Sequence, residues 1–272
     1  MTLALIAGAG ALPAALAAAL PQRPFIAALD GFAPEGLTPD LIFRIERLFP
    51  FFQALHDAQI TEIAFAGAVR RPRLDPALFD PITAQIVPRL MQSMAQGDDA
   101  TLREVIALFE EDGFTITGPA DIAPALTPPE GLYAGQLTER DQQDATRAAA
   151  ITEALGRVDV GQGCIVAQGL CLATETLAGT DAMLASLATL PDILRPNPKQ
   201  GRGVLYKAPK PTQDRRIDLP TIGPATVTAA AQAGLRGIAW EAGHTITLDL
   251  PHMQQIATDQ GLFLWSRAPA QR

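Results

Sequence analysis

The sequence predicts an α/β protein: an N-terminal Rossmann-like, doubly wound parallel sheet followed by a C-terminal mixed α/β domain. Three observations carry that expectation. Short apolar segments alternate with segments of helical period through the first half, as in βαβ units. The first of these sits in a stretch with no charged side chain from Met1 to Gln22, as a strand buried on both faces requires. Between Pro119 and Arg140 the periodicity fails, with prolines at 119, 124, 128 and 129, and this divides the chain into domains of residues 1–130 and 131–272.

The elements follow in order. Leu3 to Ala7 reads as a buried strand, Gly8-Ala9-Gly10 as a turn, and Pro13 to Leu20 as an Ala-rich helix with proline in its first turn, where the missing N–H is harmless. Phe25 to Leu29 is a second strand ending at Asp30, Arg47 to Ala58 a helix, and Glu62 to Gly67 a third strand closing on glycine. Pro76 to Ala95 reads as helices, and Leu102, Val105, Ile106 and Phe109 recur at helical spacing before a strand at Gly113 to Gly118. In the second half, Asp141 to Gly156 is an Ala-rich helix. Strands are expected at Cys164–Ala167, Leu170–Ala173, Val204–Lys207, Ile238–Trp240, Thr245–Leu248 and Leu262–Trp265. Helices are expected at Thr180–Leu187, Pro224–Gly234 and His252–Gln260.

Composition narrows the function. The 272 residues carry 29 acidic and 21 basic side chains, a net charge of -8, so nucleic-acid binding, which needs clustered Lys and Arg, is disfavoured. The apolar opening lacks the basic n-region of a signal peptide, and Gly8, Gly10 and Pro13 break it into pieces shorter than a bilayer span. Cys164 and Cys171 read as reduced core residues, and the three histidines lack zinc spacing.

Several groups could carry chemistry. Gly8-x-Gly10 between strand and helix, with Asp30 ending the next strand, imitates a dinucleotide fingerprint, but its third glycine is Pro13. A glycine turn needed only for tight packing explains it as well. Gly97-Asp98-Asp99 precedes a helix and suits an N-cap, with one carboxylate left for a metal or a sugar hydroxyl. A basic stretch of Lys199, Arg202, Lys207, Lys210, Arg215 and Arg216 in an acidic protein points to an anionic ligand, with Lys207 and Lys210 beside prolines on a stiff loop. Asp218, between Ile217 and Leu219, either holds a divalent ion or orients water for attack on phosphorus, or else caps a helix beginning near Thr221 to Pro224.

Together these motifs resemble the LpxI family of UDP-2,3-diacylglucosamine pyrophosphatases of lipid A biosynthesis. Leu5 to Pro13, Phe65-Ala66-Gly67, Gly97 to Ala100, Asp159 to Gly163, Glu175 with Gly179 to Leu184, Lys207 to Gln213 and Asp218 to Gly223 carry the resemblance from end to end. Ala9 stands where relatives often carry a third glycine. The resemblance implies Mg2+-dependent hydrolysis of UDP-2,3-diacylglucosamine to UMP and 2,3-diacylglucosamine 1-phosphate (lipid X), with water attacking the sugar-side phosphorus and the substrate held between the domains. It implies a metal-binding or water-activating role for Asp218. Gly8, Gly10, Gly67, Asp98 and Asp99 would line one side of the site, and Gln168, Thr180, Asp181, Lys207, Lys210 and Thr221 the other. Phe49, Phe51 and Phe52 are candidates for an acyl groove, or else an ordinary buried turn. Such an enzyme would be cytoplasmic, with at most peripheral contact at the inner membrane face, and a homo-oligomer is left open. The competing readings are an NAD-dependent oxidoreductase using Gly8, Gly10 and Asp30, and a non-catalytic nucleotide-sugar or lipid-binding module.

Overall fold

A computed structural model describes residues 2–69, 74–191, 197 and 202–269. Lys199, singled out above for its charge, lies outside the described residues. The chain forms two compact units, residues 1–123 with 214–218, and residues 124–213 with 219–272.

In the first unit the charge-free opening becomes β1 (Leu3–Ala7), followed by α1 (Leu12–Ala19) with Pro13 buried in its first turn. Then come β2 (Phe25–Leu29), β3 (Leu41–Phe43), α2 (Leu48–Asp57), β4 (Glu62–Ala66), α3 (Thr83–Met94), α4 (Asp98–Glu111), β5 (Thr115–Ile116) and α5 (Pro119–Ile122). The five strands are all parallel in the order β3-β2-β1-β4-β5. This is the doubly wound order, in which the chain turns outward in opposite directions from β1 and β4 and leaves a crevice beyond their carboxyl ends. Gly8 and Gly67 are the residues that follow those two strands.

Phe51 and Phe52 do not form a groove. They lie on α2 and are 3% and 7% exposed, packed with Leu55, Ile63 and Phe109. Phe52 meets Phe109 edge-on with centroids 4.9 Å apart, the geometry aromatic rings prefer in a core. Phe49, on the same helix, is half-buried.

The second unit contains β6 (Gly131–Ala134), α6 (Glu139–Gly156), β7 (Gly163–Ala167), β8 (Leu170–Thr174), α7 (Gly179–Ala188), β9 (Val204–Lys207), β10 (Thr221–Ile222), α8 (Pro224–Gln232), β11 (Gly237–Glu241), β12 (Ile246–Thr247), α9 (Leu250–Gln260) and β13 (Phe263–Arg267). Six strands form a mixed sheet, β6-β13-β11-β9-β7-β8, while β10 and β12 pair separately. The central strands β13, β11 and β9 run parallel, and β6, β7 and β8 add antiparallel edges.

Strand side chains alternate between faces, and both faces here are apolar. Ile165, Leu205, Ile238 and Trp240 join one core with α7, α8 and α9 residues such as Leu184, Val227 and Met253. Cys164, Val166, Val204, Tyr206 and Ala239 pack on the other side against Ala145, Ala148 and Ala149 of α6. The small alanine face lets α6 lie close to the sheet. Its start is fixed by a capping box, Thr138 accepting from the Asp141 N–H while Asp141 accepts from the Thr138 N–H. Among the described residues no helix is long and apolar enough to cross a membrane.

Candidate functional site

The first unit gathers its candidate residues at the ends of β1 and β4. The Gly8 N–H donates to Ala66 O at 2.7 Å, and Ala9 and Ala68 exchange N–H to carbonyl bonds at 2.9 Å in each direction. The two loops therefore close against each other. A Cβ built on Gly8 would lie 2.7 Å from Ala68 O, and one on Gly67, whose φ is +91, would lie 2.7 Å from Gly8 C and O. These two glycines are required by backbone contact. Gly10 differs: its φ is +92, and a Cβ there would meet nothing within 4 Å, so its backbone faces open space.

Asp30, the ribose-binding residue of the dinucleotide reading, accepts from Arg44 Nη1 at 2.6 Å. The N-cap of α4 is Gly97 with φ +125, and no side chain caps the helix. The expectation that one of Asp98 and Asp99 is the cap therefore fails, because both already belong to the first helical turn. There their charge complements the positive end of the helix. Asp98 is exposed, whereas Asp99 is buried and accepts from Arg103 Nη2 at 3.1 Å, one turn along.

Asp218 is no helix cap either. The helix α8 begins at Pro224 behind Gly223, whose N–H donates to Thr226 Oγ1 at 3.2 Å, and Thr221 and Ile222 are strand residues. Asp218 is half-buried and ends the segment 214–218 that belongs to the first unit. Ile217 packs against the core of that unit. Arg216 fastens the segment, donating to Glu110 Oε1 and to Asp214 Oδ2, each at 2.7 Å. The Arg216 guanidinium holds the Asp214 carboxyl below its ordinary range despite partial burial. A carboxylate is thus held by covalent and ionic neighbours in a unit otherwise built from the first half of the chain.

In the second unit the densest polar cluster lies where β7, β8 and β9 meet. Lys207 ends β9 and is 3% exposed, and Glu175 follows β8 and is 9% exposed. Lys207 Nζ donates to Glu175 Oε2 at 2.9 Å and Oε1 at 3.2 Å, and to Thr180 Oγ1 at 2.7 Å. Thr180 Oγ1 in turn donates to Glu175 Oε1 at 2.9 Å, and the Gln162 N–H reaches Glu175 Oε2 at 3.3 Å. The Gly161-x-Gly163 motif has its reason here. A Cβ on Gly161, with φ +58, would sit 2.2 Å from Glu175 O, and one on Gly163 would sit 2.9 Å from Glu175 Oε2 and 3.0 Å from Lys207 Cδ.

Of the candidates in this unit, the structure brings Lys207 and Thr180 together on Glu175. Lys210 pairs with Asp159, so both lysines of the proline-flanked loop face a carboxylate. Asp181 is exposed in the first turn of α7. Gln168 occupies the β7–β8 turn at φ 53, and its N–H and that of Gly169 donate to the buried Asp144 at 2.9 and 2.8 Å. Thr221 lies on β10, its hydroxyl donating to Leu219 O at 3.3 Å. In the sequence Glu175 stands out only as part of a motif. The signal that could have marked it is that two apolar strands, Leu170–Thr174 and Val204–Tyr206, each run straight into a charge of opposite sign.

Among the described residues no three His, Cys, Asp or Glu side chains converge as a metal cage. Mg2+ makes a smaller demand, usually one or two carboxylates together with substrate phosphates and water. The acidic oxygens of Asp98 and Asp218 suit that role chemically.

Comparison with known proteins covers nearly the whole chain. The family model described as LpxI N-terminal domain matches residues 2–126, and that described as LpxI C-terminal domain matches residues 129–265. The chain is 39% identical over 277 residues to UDP-2,3-diacylglucosamine pyrophosphatase LpxI of Caulobacter vibrioides, covering 99% of both proteins.

Proposed function

The chain belongs to the LpxI family, and on that premise we propose that it hydrolyses the pyrophosphate of UDP-2,3-diacylglucosamine to UMP and 2,3-diacylglucosamine 1-phosphate. The observation that carries the proposal is the end-to-end identity with a relative of that name. Water attacks the sugar-side phosphorus and UMP leaves. Asp218 orients that water and would hold Mg2+ jointly with substrate oxygens; the ion supplies neutralisation of the pyrophosphate charge. Hydrolysis at phosphorus asks mainly for positioning and for charge set opposite the developing oxyanions.

The residues divide that work. The open backbone at Gly10, beside the crevice at the topological switch point, suits the close approach of a pyrophosphate or sugar. The anchored segment 214–218 supports Asp218 as a fixed carboxylate. Lys207 and Thr180 supply polar contacts to the phosphates. The enzyme works on the cytoplasmic side, meeting its diacyl substrate and product at most peripherally at the membrane face.

The test is UMP release from UDP-2,3-diacylglucosamine, with Mg2+, with EDTA, and in Asp218→Ala. The wild type turns over with Mg2+ and stops on chelation, and the variant loses turnover while keeping its fold. Full activity in Asp218→Ala would remove that residue from the mechanism, and turnover indifferent to EDTA would remove the metal.

A further inference from the structure

We propose that Glu175 is a positioning residue for this reaction: it holds the Lys207 ammonium and the Thr180 hydroxyl in the places from which they meet the substrate phosphates. The inference rests on the proposed pyrophosphatase activity and on the assignment of Lys207 and Thr180 to substrate contact.

The geometry leaves Lys207 little freedom. Both carboxylate oxygens and the threonine hydroxyl receive its N–H groups within 3.2 Å, which accounts for all three donors of an ammonium. Thr180 closes the ring by donating to Glu175 Oε1. Its orientation is therefore set by the same carboxylate that orients the lysine. Glu175 is itself clamped, with the backbone of Gly161 and Gly163 against it and its own N–H donating to Gly163 O at 2.8 Å. The strand register sets Gly163 opposite Lys207, and the missing side chain at Gly163 leaves the room in which the carboxylate and the lysine meet.

Stability alone is a weak reason to keep such a cluster. A buried ion pair contributes little or nothing over apolar residues of the same volume, because desolvation offsets the attraction. What the arrangement does supply is a long, flexible lysine held in one conformation with its counter-charge in place. A phosphate entering near Thr180 would meet donors already oriented, exchanging with Glu175 for one N–H of Lys207 and for the hydroxyl proton of Thr180. Misplacing such contacts by about an ångström lowers turnover on the order of a hundredfold.

The experiment compares kcat and KM for wild type, Glu175→Gln, Glu175→Asp, Lys207→Met and the double variant Glu175→Gln/Lys207→Met, with thermal unfolding recorded for each. In parallel, the Lys207 ammonium resonance is followed in 15N-labelled protein. Glu175→Gln is expected to lose kcat on the order of a hundredfold, Glu175→Asp to recover part of it, and the double variant to lose much less than the product of the two single losses, the remaining deficit below Lys207→Met coming from the unheld Thr180 hydroxyl. The double variant removes both buried charges at once, so it remains foldable if Glu175→Gln alone does not. The ammonium resonance is protected from exchange in the wild type and lost in Glu175→Gln. Kinetics of Glu175→Gln within twofold of wild type, or losses in the double variant that multiply in full as for independent residues, would overturn the proposal. If the wild type releases no UMP, the activity reading fails instead. An exchanging ammonium in the wild type would then refute the positioning role on its own.

Discussion

Gly67→Ala and Gly10→Ala form a matched pair of perturbations that separates a glycine needed for backbone contact from one that faces space. Both residues have φ near +90, +91 and +92, so alanine at either position meets the same left-handed backbone cost of about 1–2 kcal/mol. At Gly67 the new Cβ also lies 2.7 Å from Gly8 C and O and 2.8 Å from Ala9 O, all backbone atoms. Moving them disturbs the paired loops after β1 and β4 and adds about 1–3 kcal/mol of overpacking strain. At Gly10 nothing stands within 4 Å and no such cost arises. One kcal/mol corresponds to roughly 2–4 °C in a chain of this size, so Gly67→Ala lowers Tm by about 10 °C and Gly10→Ala by about 4 °C. Scanning calorimetry reads the difference directly. UMP release should fall in Gly10→Ala well beyond its small loss of stability, since the added methyl occupies the space a ligand would use. Equal Tm values for the two variants would refute the packing argument, and full activity of Gly10→Ala would refute the ligand-approach argument.

Other expectations concern acid, thiols and the anchored segment. Arg23 holds the Asp40 carboxyl below its ordinary value. Burial pushes Glu46 and Asp80 up, but backbone N–H groups at both and Arg44 at Glu46 reverse this, so their net shift is also downward. The unfolded chain therefore binds protons first, and stability present at neutral pH is lost as pH falls from about 4.5 through the folded values. Urea midpoints across that range measure it, and Glu46→Gln should flatten the fall. Cys171 is exposed, whereas Cys164 is buried with its thiol pushed up by burial and by its neighbour, so iodoacetamide should label Cys171 alone in the native protein. Arg216→Ala removes the ties to Glu110 and Asp214 and should cost only about 1 kcal/mol, the pairs being partly exposed. Its UMP release should fall further than that loss of stability explains, through the placement of Asp218.

The strands the sequence made legible are those buried on both faces. β1 and β2 begin and end where the apolar runs do, and β4 stops one residue short of Gly67. Their environment leaves no other choice of residue, so hydropathy alone delimits them. Strands β3 and β6 at sheet edges, and the two-residue β10, lie outside the expected strands because tertiary pairing, rather than local pattern, makes them extended, whereas β12 falls within the strand expected at Thr245–Leu248.

At the candidate site, glycines were legible as glycines but not by purpose. Gly8 and Gly67 answer to each other across adjacent strands, and of these three glycines Gly10 is the one that faces open space. The Glu175–Lys207 pair joins residues 32 apart in sequence, beyond the reach of any periodicity. The lysines read as bare point charges each meet a carboxylate, which a charge count along the chain could not reveal.

The most direct measurement is mass spectrometry of the products formed from UDP-2,3-diacylglucosamine and Mg2+ in isotope-labelled water. Attack at the sugar-side phosphorus yields unlabelled UMP together with 2,3-diacylglucosamine 1-phosphate carrying one heavy oxygen. Intact substrate after incubation with folded enzyme would contradict the central claim, and label found in UMP would contradict attack at the sugar-side phosphorus.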